Sequence, residues 1–326
     1  MEPRPHPSAR ALLPRRAVLG ALALAPLALA ACAATFTGRH LTIAAGVGSG
    51  VYYRLGGTLA DIWHERLGLA TAPAVLTTAG SVDNLDRLGD GSADVAFSQV
   101  DSAADRLATI APDDPRAPRA LARIYDDAVH IVVRRDSPYR QLADLRGARV
   151  SIGTPTSGYY AIAARLLESA GLDFRRDVAA QQLGLPDSTQ ALRDGTIDAF
   201  FWSGGLPTSG ITDLAAALPI RLLDLKDTLE SFRARYPVYS SGTVPAGTYT
   251  LPEPVATLLV RNFLLVPAST DDDLADALVR SMFADQPRLA AASPAALTID
   301  ARAAIGTQPV PLHPGAERFY RESKNA

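Results

Sequence analysis

Apolar and polar positions along the first part of the chain switch between two periods. Leu41–Ala45 is a short apolar run suited to a buried strand, and the glycine-rich stretch Gly46-Val47-Gly48-Ser49-Gly50 follows it. Leu55, Leu59, Ile62, Trp63 and Leu67 then recur at helical spacing. Val82, Leu85 and Leu88 predict a short helix, and Asp94–Phe97 a strand. Val129–Arg134 is almost wholly apolar, as a strand buried on both faces would be, and Asp136-Ser137-Pro138 is a turn signal after it. A second series begins with a strand at Ala148–Ile152. It continues with a helix over Tyr160–Ala170, closed by Gly171 where a left-handed cap is favoured, and a strand at Ile197–Phe201. Val255–Val266 is a long apolar run ending at Pro267. Asp271-Asp272-Asp273 then places negative charge at the start of a helix whose body runs from Leu274 to Leu289. Short strands alternating with amphipathic segments predict an α/β architecture.

The two series match each other. Leu88-Gly89-Asp90-Gly91-Ser92-Ala93-Asp94-Val95-Ala96-Phe97 recurs 104 residues later as Leu192-Arg193-Asp194-Gly195-Thr196-Ile197-Asp198-Ala199-Phe200-Phe201. Ser49-Gly50-Val51-Tyr52 recurs 108 residues later as Ser157-Gly158-Tyr159-Tyr160, each time after a strand and opening a helix. Two matches in the same order predict two similar α/β lobes. Ligands of open α/β sheets sit beyond the carboxyl ends of strands, where these Ser-Gly loops fall. A helix N-terminus there offers unpaired N–H groups and partial positive charge, so it can hold a carboxylate or phosphate without lysine or arginine. Ser49 and Ser157 can instead simply cap their helices. The strand ends add Gln99, Asp101, Trp202 and Ser203. Gln99 suits an amide, amine or carboxylate, Asp101 an ammonium group, and Trp202 an aliphatic body.

The N-terminus changes where this chemistry is expected to take place. A basic start (Arg4, Arg10, Arg15, Arg16) precedes the apolar run Ala17–Ala31, which is shorter than the roughly 20 residues of a membrane-spanning helix. Leu29-Ala30-Ala31-Cys32 resembles a lipobox, so residues 1–31 are expected to be a signal peptide, Cys32 the lipidation site and 32–40 a linker. Arg15-Arg16 also resembles a twin-arginine signal. Without residues 1–31 the charges are 28 basic against 33 acidic, a net of −5. With no basic block, nucleic acid is an unsuitable partner. No G-x-x-x-x-G-K-[ST] loop and no G-x-S-x-G elbow occurs, and Gly46–Gly50 departs from the dinucleotide fingerprint. His40, His64, His130 and His313 lack ligand spacing, so neither a metal site nor a cofactor is indicated, and His130 reads as a core or hinge residue.

Gly48-Ser49-Gly50-Val51-Tyr52-Tyr53 with Leu55-Gly56-Gly57, then Ala79-Gly80-Ser81-Val82-Asp83-Asn84-Leu85, resembles the TAXI family of TRAP transporter solute receptors. Asp94–Phe97 with Gln99 and Asp101, Leu142–Val150, Asp198–Phe201 with Gly204 and Pro207, and the ending Pro309–Tyr320 extend the resemblance over nearly all of 41–321. It implies a type II periplasmic-binding-protein fold, two similar lobes joined by hinge strands around a central cleft. Residues 41–133 plus 255–326 would form lobe I and 134–254 lobe II, joined near Val129–Arg134 and Val255–Val266. It further implies capture of a small organic anion (glutamate, glutamine or a related dicarboxylate) for a TRAP membrane permease, by a monomer tethered to the outer face of the membrane. The candidate ligand contacts are Gly48, Ser49, Gly50, Tyr52, Ser81, Gln99, Asp101, Thr154, Ser157, Gly158, Trp202 and Ser203. No carboxylate-binding arginine is evident; Arg54 lies beside the first loop but can point outward from its helix. A ligand sensor for a membrane kinase is the alternative output of the same fold. Catalysis is not expected, because no nucleophile–base or metal constellation is visible.

Overall fold

The computed structural model of the protein describes residues 36–324, so the expected signal segment 1–31 and Cys32 lie outside the described residues. The chain begins with β1 (Thr42–Gly46), α1 (Val51–Leu67), β2 (Ala74–Thr77), α2 (Ser81–Asp90), β3 (Val95–Gln99) and α3 (Val100–Leu107). The long strand β4 (Pro118–Arg134) leads into β5 (Arg149–Ser151), α4 (Gly158–Ser169), β6 (Ala179–Gln181), α5 (Leu185–Asp194), β7 (Ala199–Gly204) and α6 (Ser209–Ala217). After β8 (Ile220–Leu222), α7 (Lys226–Arg235) and β9 (Ser240–Val244) comes the second long strand, β10 (Val255–Pro267). The chain closes with α8 (Asp272–Ala284), α9 (Gln286–Ala292), α10 (Ala301–Ala304) and α11 (Pro314–Ser323).

The strands are hydrogen-bonded in the order β2-β1-β3-β10-β4-β7-β5-β6, with β8 on β4 and β9 on β10. This order is symmetric about its middle. β1 pairs in parallel with β2 and β3, and β5 in parallel with β6 and β7. Between these flanks β10 and β4 run antiparallel, from Leu259 opposite Ala128 to Pro267 opposite Pro118. Two apolar clusters fill the interior, one confined to the first flank, β4, β10 and the C-terminal helices and the other spanning both flanks through Ala44, Leu85, Leu88 and Ala96. Leu55, Leu59, Trp63, Leu278, Met282 and Phe319 belong to one apolar cluster; Ile162, Leu166, Phe200, Phe201, Ile211 and Phe232 belong to the other.

The repeated sequence string builds the same local structure twice. α2 ends at Gly91 and α5 at Gly195, both left-handed (φ 82° and 70°), a conformation glycine reaches without steric strain. The matched aspartates do identical work. Asp94 accepts from the backbone N–H of Thr42 at 2.7 Å, and Asp198 from that of Arg149 at 2.8 Å, each fixing the strand that opens its own half.

Two elements differ from the sequence expectation. The strand seen at Val129–Arg134 extends back to Pro118, through Arg119, Arg123, Asp126 and Asp127, whose charges hide it from an apolar-run criterion. The helix expected from Leu274 to Leu289 is two helices, broken at Asp285. Pro287 sits in the first turn of α9 and has no N–H with which to continue the hydrogen-bond ladder of α8.

Candidate functional site

Four helices begin at one cavity where the two halves meet. Gly50 and Val51 of α1, Gly80 and Ser81 of α2, Gly158 and Tyr159 of α4, and Thr208, which precedes α6, all line it. The cavity holds about 60 Å3. None of the four helices receives a side-chain N-cap hydrogen bond, so the ends of α1, α4 and α6 keep partial positive charge near the space between them, while in α2 the Asp83 N–H is taken by the Thr156 carbonyl. Ser157, expected to cap α4 or touch the ligand, donates its hydroxyl to the Thr154 carbonyl at 2.7 Å.

The floor is a row of polar side chains crossing four neighbouring strands: Gln99 on β3, Asn262 on β10, Asp127 on β4 and Ser203 on β7. Gln99 Nε2 donates to Asp127 Oδ2 at 2.9 Å and to Ser203 Oγ at 2.6 Å, while its backbone N–H donates to Ser81 Oγ at 3.0 Å. A bulge aims this row. Between the pairs Arg261–Asp126 and Phe263–Arg123 the pairing advances two residues on β10 and three on β4. Tyr125, within the bulge, and Asp127, just beyond it, share the face that lines the cavity, while Asp126 pairs with Arg123 at 2.7 Å. Burial pushes the Asp127 carboxyl up to about 7, with the neutral donors Gln99, Asn262, Ser203 and Tyr125 pulling it back down. Burial, with Asp127 nearby, also holds the Tyr52 and Tyr125 hydroxyls well above their usual range.

The walls are aromatic. Tyr52 stacks on Phe97 with centroids 5.0 Å apart, and its hydroxyl donates to Asn262 Oδ1. Trp202 meets Tyr159 edge-on at 5.0 Å and donates from Nε1 to Thr208 Oγ1 at 3.2 Å. Arg54 is the single cation and Asp127 the single acid among the described residues that line the cavity. Arg54 Nε, Gln99 Oε1 and Asp127 Oδ1 are all buried without a hydrogen-bond partner. Arg54 and Asp127 thus bring an unpartnered cationic donor and an unpartnered carboxylate oxygen to the lining of one small space, which suits a solute carrying both an anion and a donor.

Of the residues singled out from sequence, Ser49, Gly50, Tyr52, Ser81, Gln99, Gly158, Trp202 and Ser203 line the cavity. Gly48, Asp101, Thr154 and Ser157 do not. Gly48 is exposed, and Thr154 and Ser157 bond to each other in the turn before α4. Asp101 is buried at the start of α3, accepting from Tyr239 Oη at 2.8 Å, with Arg165 Nη1 of α4 at 3.5 Å. It ties the two halves together outside the cavity. Arg54, whose direction the sequence leaves open, lines the cavity one turn after Gly50 on α1. Sequence reasoning missed Tyr125 and Asp127 altogether; the only trace of them is an acidic pair just before an apolar strand. His130 is buried in β4 with Nε2 3.1 Å from Tyr249 Oη, which accepts from the Thr208 N–H at the cavity edge. Among the described residues no helix is long and apolar enough to cross a membrane.

Solved structures share this architecture. The binding protein component of an ABC phosphonate transporter from Pseudomonas aeruginosa is 9% identical, with 78% of this chain and 77% of that one covered and a TM-score of 0.55. A Xanthomonas citri protein solved with ATP bound is 16% identical over 87% of this chain and 94% of its own, with a TM-score of 0.51. The periplasmic aliphatic sulphonate binding protein of Escherichia coli is 17% identical over 87% and 88%, with a TM-score of 0.45. The fold is that of the type II periplasmic binding proteins, two α/β lobes about a central cleft, and the four helix N-termini meet in that cleft. The sequence agrees at the level of family: residues 43–323, which hold both lobes and every cavity residue named above, match the NMT1-like family, and the chain belongs to it.

Proposed function

We propose that this protein is an extracytoplasmic solute-binding protein that captures a small organic carboxylate and delivers it to a membrane transporter. The observation that carries this reading is the convergence of four uncapped helix N-termini and the unpartnered Arg54 Nε on one cavity between two lobes. Helix N-termini favour anions, and a guanidinium adds a planar donor set matched to a carboxylate. The name of the phosphonate-transporter neighbour, a binding protein component, fits the same role. The TAXI-like motifs at Gly48–Tyr53 and Ala79–Leu85 favour a TRAP-type permease as partner, and glutamate, glutamine or a related dicarboxylate as solute. The lobes are proposed as 41–133 with 255–326, and 134–254. We further propose that Cys32 carries the lipid that holds the protein at the outer face of the membrane.

Thermal-shift screening over amino acids and dicarboxylates tests the function. A true ligand at about 100 times its dissociation constant should stabilise the protein by roughly 2.7 kcal/mol. Stabilisation by cations or sugars with none by any carboxylate would remove the proposal.

A further inference from the structure

Asp127 is held differently from the other buried carboxylate near the lobe junction. Asp101 has Arg165 close by, whereas Asp127 accepts hydrogen bonds from Gln99 and Ser203, both neutral. The residue is only 3% exposed; Oδ2 accepts from Gln99 and Ser203, and Oδ1 has no partner. Gln99 Oε1 is covered by Gly158 at the start of α4, and the Gln99 amide is oriented by the two bonds that Nε2 donates. A buried carboxylate without a cation is unfavourable, and a positively charged donor from the solute relieves it. A second carboxylate in that position would meet Asp127 with like charge.

We propose that Asp127 is a specificity-determining residue that selects solutes bearing an ammonium group beside the carboxylate, with Asp127 Oδ1 accepting from that ammonium. The proposal rests on the carboxylate-binding function above and divides its solute class in two: α-amino acids are taken, and the corresponding acids without the amine are discriminated against. It also moves the ammonium-accepting role from Asp101, which sits outside the cavity, to Asp127 on the bulged strand β4.

Asp127→Asn separates this role from a structural one. An asparagine oxygen in the place of Oδ2 still accepts from Gln99 Nε2 and Ser203 Oγ, so the polar row is retained. Its amide nitrogen then stands in the place of Oδ1 and turns two donors against an ammonium. The experiment is calorimetric titration of wild type, Asp127→Asn and Asp127→Ser, with melting curves to establish folding. The probes are matched pairs: L-glutamate with glutarate, L-aspartate with succinate, and L-leucine with 4-methylpentanoate. Wild type is expected to bind the amino member of at least one pair tenfold or more tighter than its partner. Both variants are expected to lose that preference by at least tenfold while binding the amine-free partner as well as wild type or better. Retention of the preference in folded variants overturns the proposal. So does equal weakening toward both members, which would make Asp127 a structural residue only. Tight wild-type binding of the amine-free acids alone would overturn the selection and leave carboxylate binding standing. Binding of no acid in any pair by wild type would count against the function itself, and the selection would fall with it.

Discussion

Burial acts on two titratable groups of β4 in opposite senses. The Asp127 carboxyl is raised to about 7, while the His130 imidazole is lowered to about 4, with burial the largest cause in each. An unfolded aspartate titrates near 3.9. Between that value and about 7 the native state therefore keeps a proton that the unfolded chain has lost, and the Asp127 contribution to stability falls as pH rises through this window. For His130 the unfolded chain takes up its proton near 6.5 and the native state only near 4, so its contribution rises with pH over nearly the same range. The two slopes oppose each other. Asp127→Asn is expected to expose the histidine slope alone: melting curves of the ligand-free variant should gain on wild type steadily from pH 4 to 7 and run parallel above it. A constant offset across that range would show that Asp127 titrates normally. His130 is read from the sequence as a core or hinge residue and is buried in β4; Asp127 was not legible. Asp127 lies within Arg123-Ile124-Tyr125-Asp126-Asp127, where charge interrupts the apolar pattern, and a bulge set by pairing with a strand more than 130 residues away decides which aspartate faces the cavity.

The elements that were legible are those whose chemistry is local. Gly91 and Gly195 announce the helix ends they cap, and the Ser-Gly strings announce the starts of α1 and α4. What those loops do with their serines depends on neighbours remote in sequence, so Ser49 and Ser157 were mistaken for equivalents. Gly158 is the more telling half of the second string. A Cβ there would lie 2.1 Å from Gln99 Oε1 and 2.9 Å from Ser81 Oγ, because the N-terminus of α4 presses directly on the end of β3. Gly158→Ala should push α4 away from Gln99, weakening carboxylate binding by tenfold or more while leaving the two cores intact. Equal affinity in the variant, measured by titration with L-glutamate, would show that α4 does not need this close approach.

The two lobes meet through several bonds besides the polar row. The Asp83 N–H donates to the Thr156 carbonyl at 3.1 Å, Ser209 Oγ reaches the Ser49 carbonyl at 3.4 Å, and Arg165 pairs with Asp105 at 2.7 Å as well as approaching Asp101. A solute held between α1 and α4 adds to these contacts only when the lobes are together, so binding and closure are linked. Fold class and lobe symmetry could be read from the sequence because they repeat within it; Arg54, the single cation of the cleft among the described residues, could not, because one arginine on a helix shows no direction. Calorimetric titration of L-glutamate into wild type and Arg54→Met, which keeps the aliphatic stem and removes the guanidinium, therefore bears on the whole molecule. Saturable binding by wild type with a loss of ten- to hundredfold in the variant is expected, in line with about 1.5–3 kcal/mol for a hydrogen bond to a charged group. Equal affinity in both proteins, or no binding by either, would contradict a cleft built to hold a carboxylate.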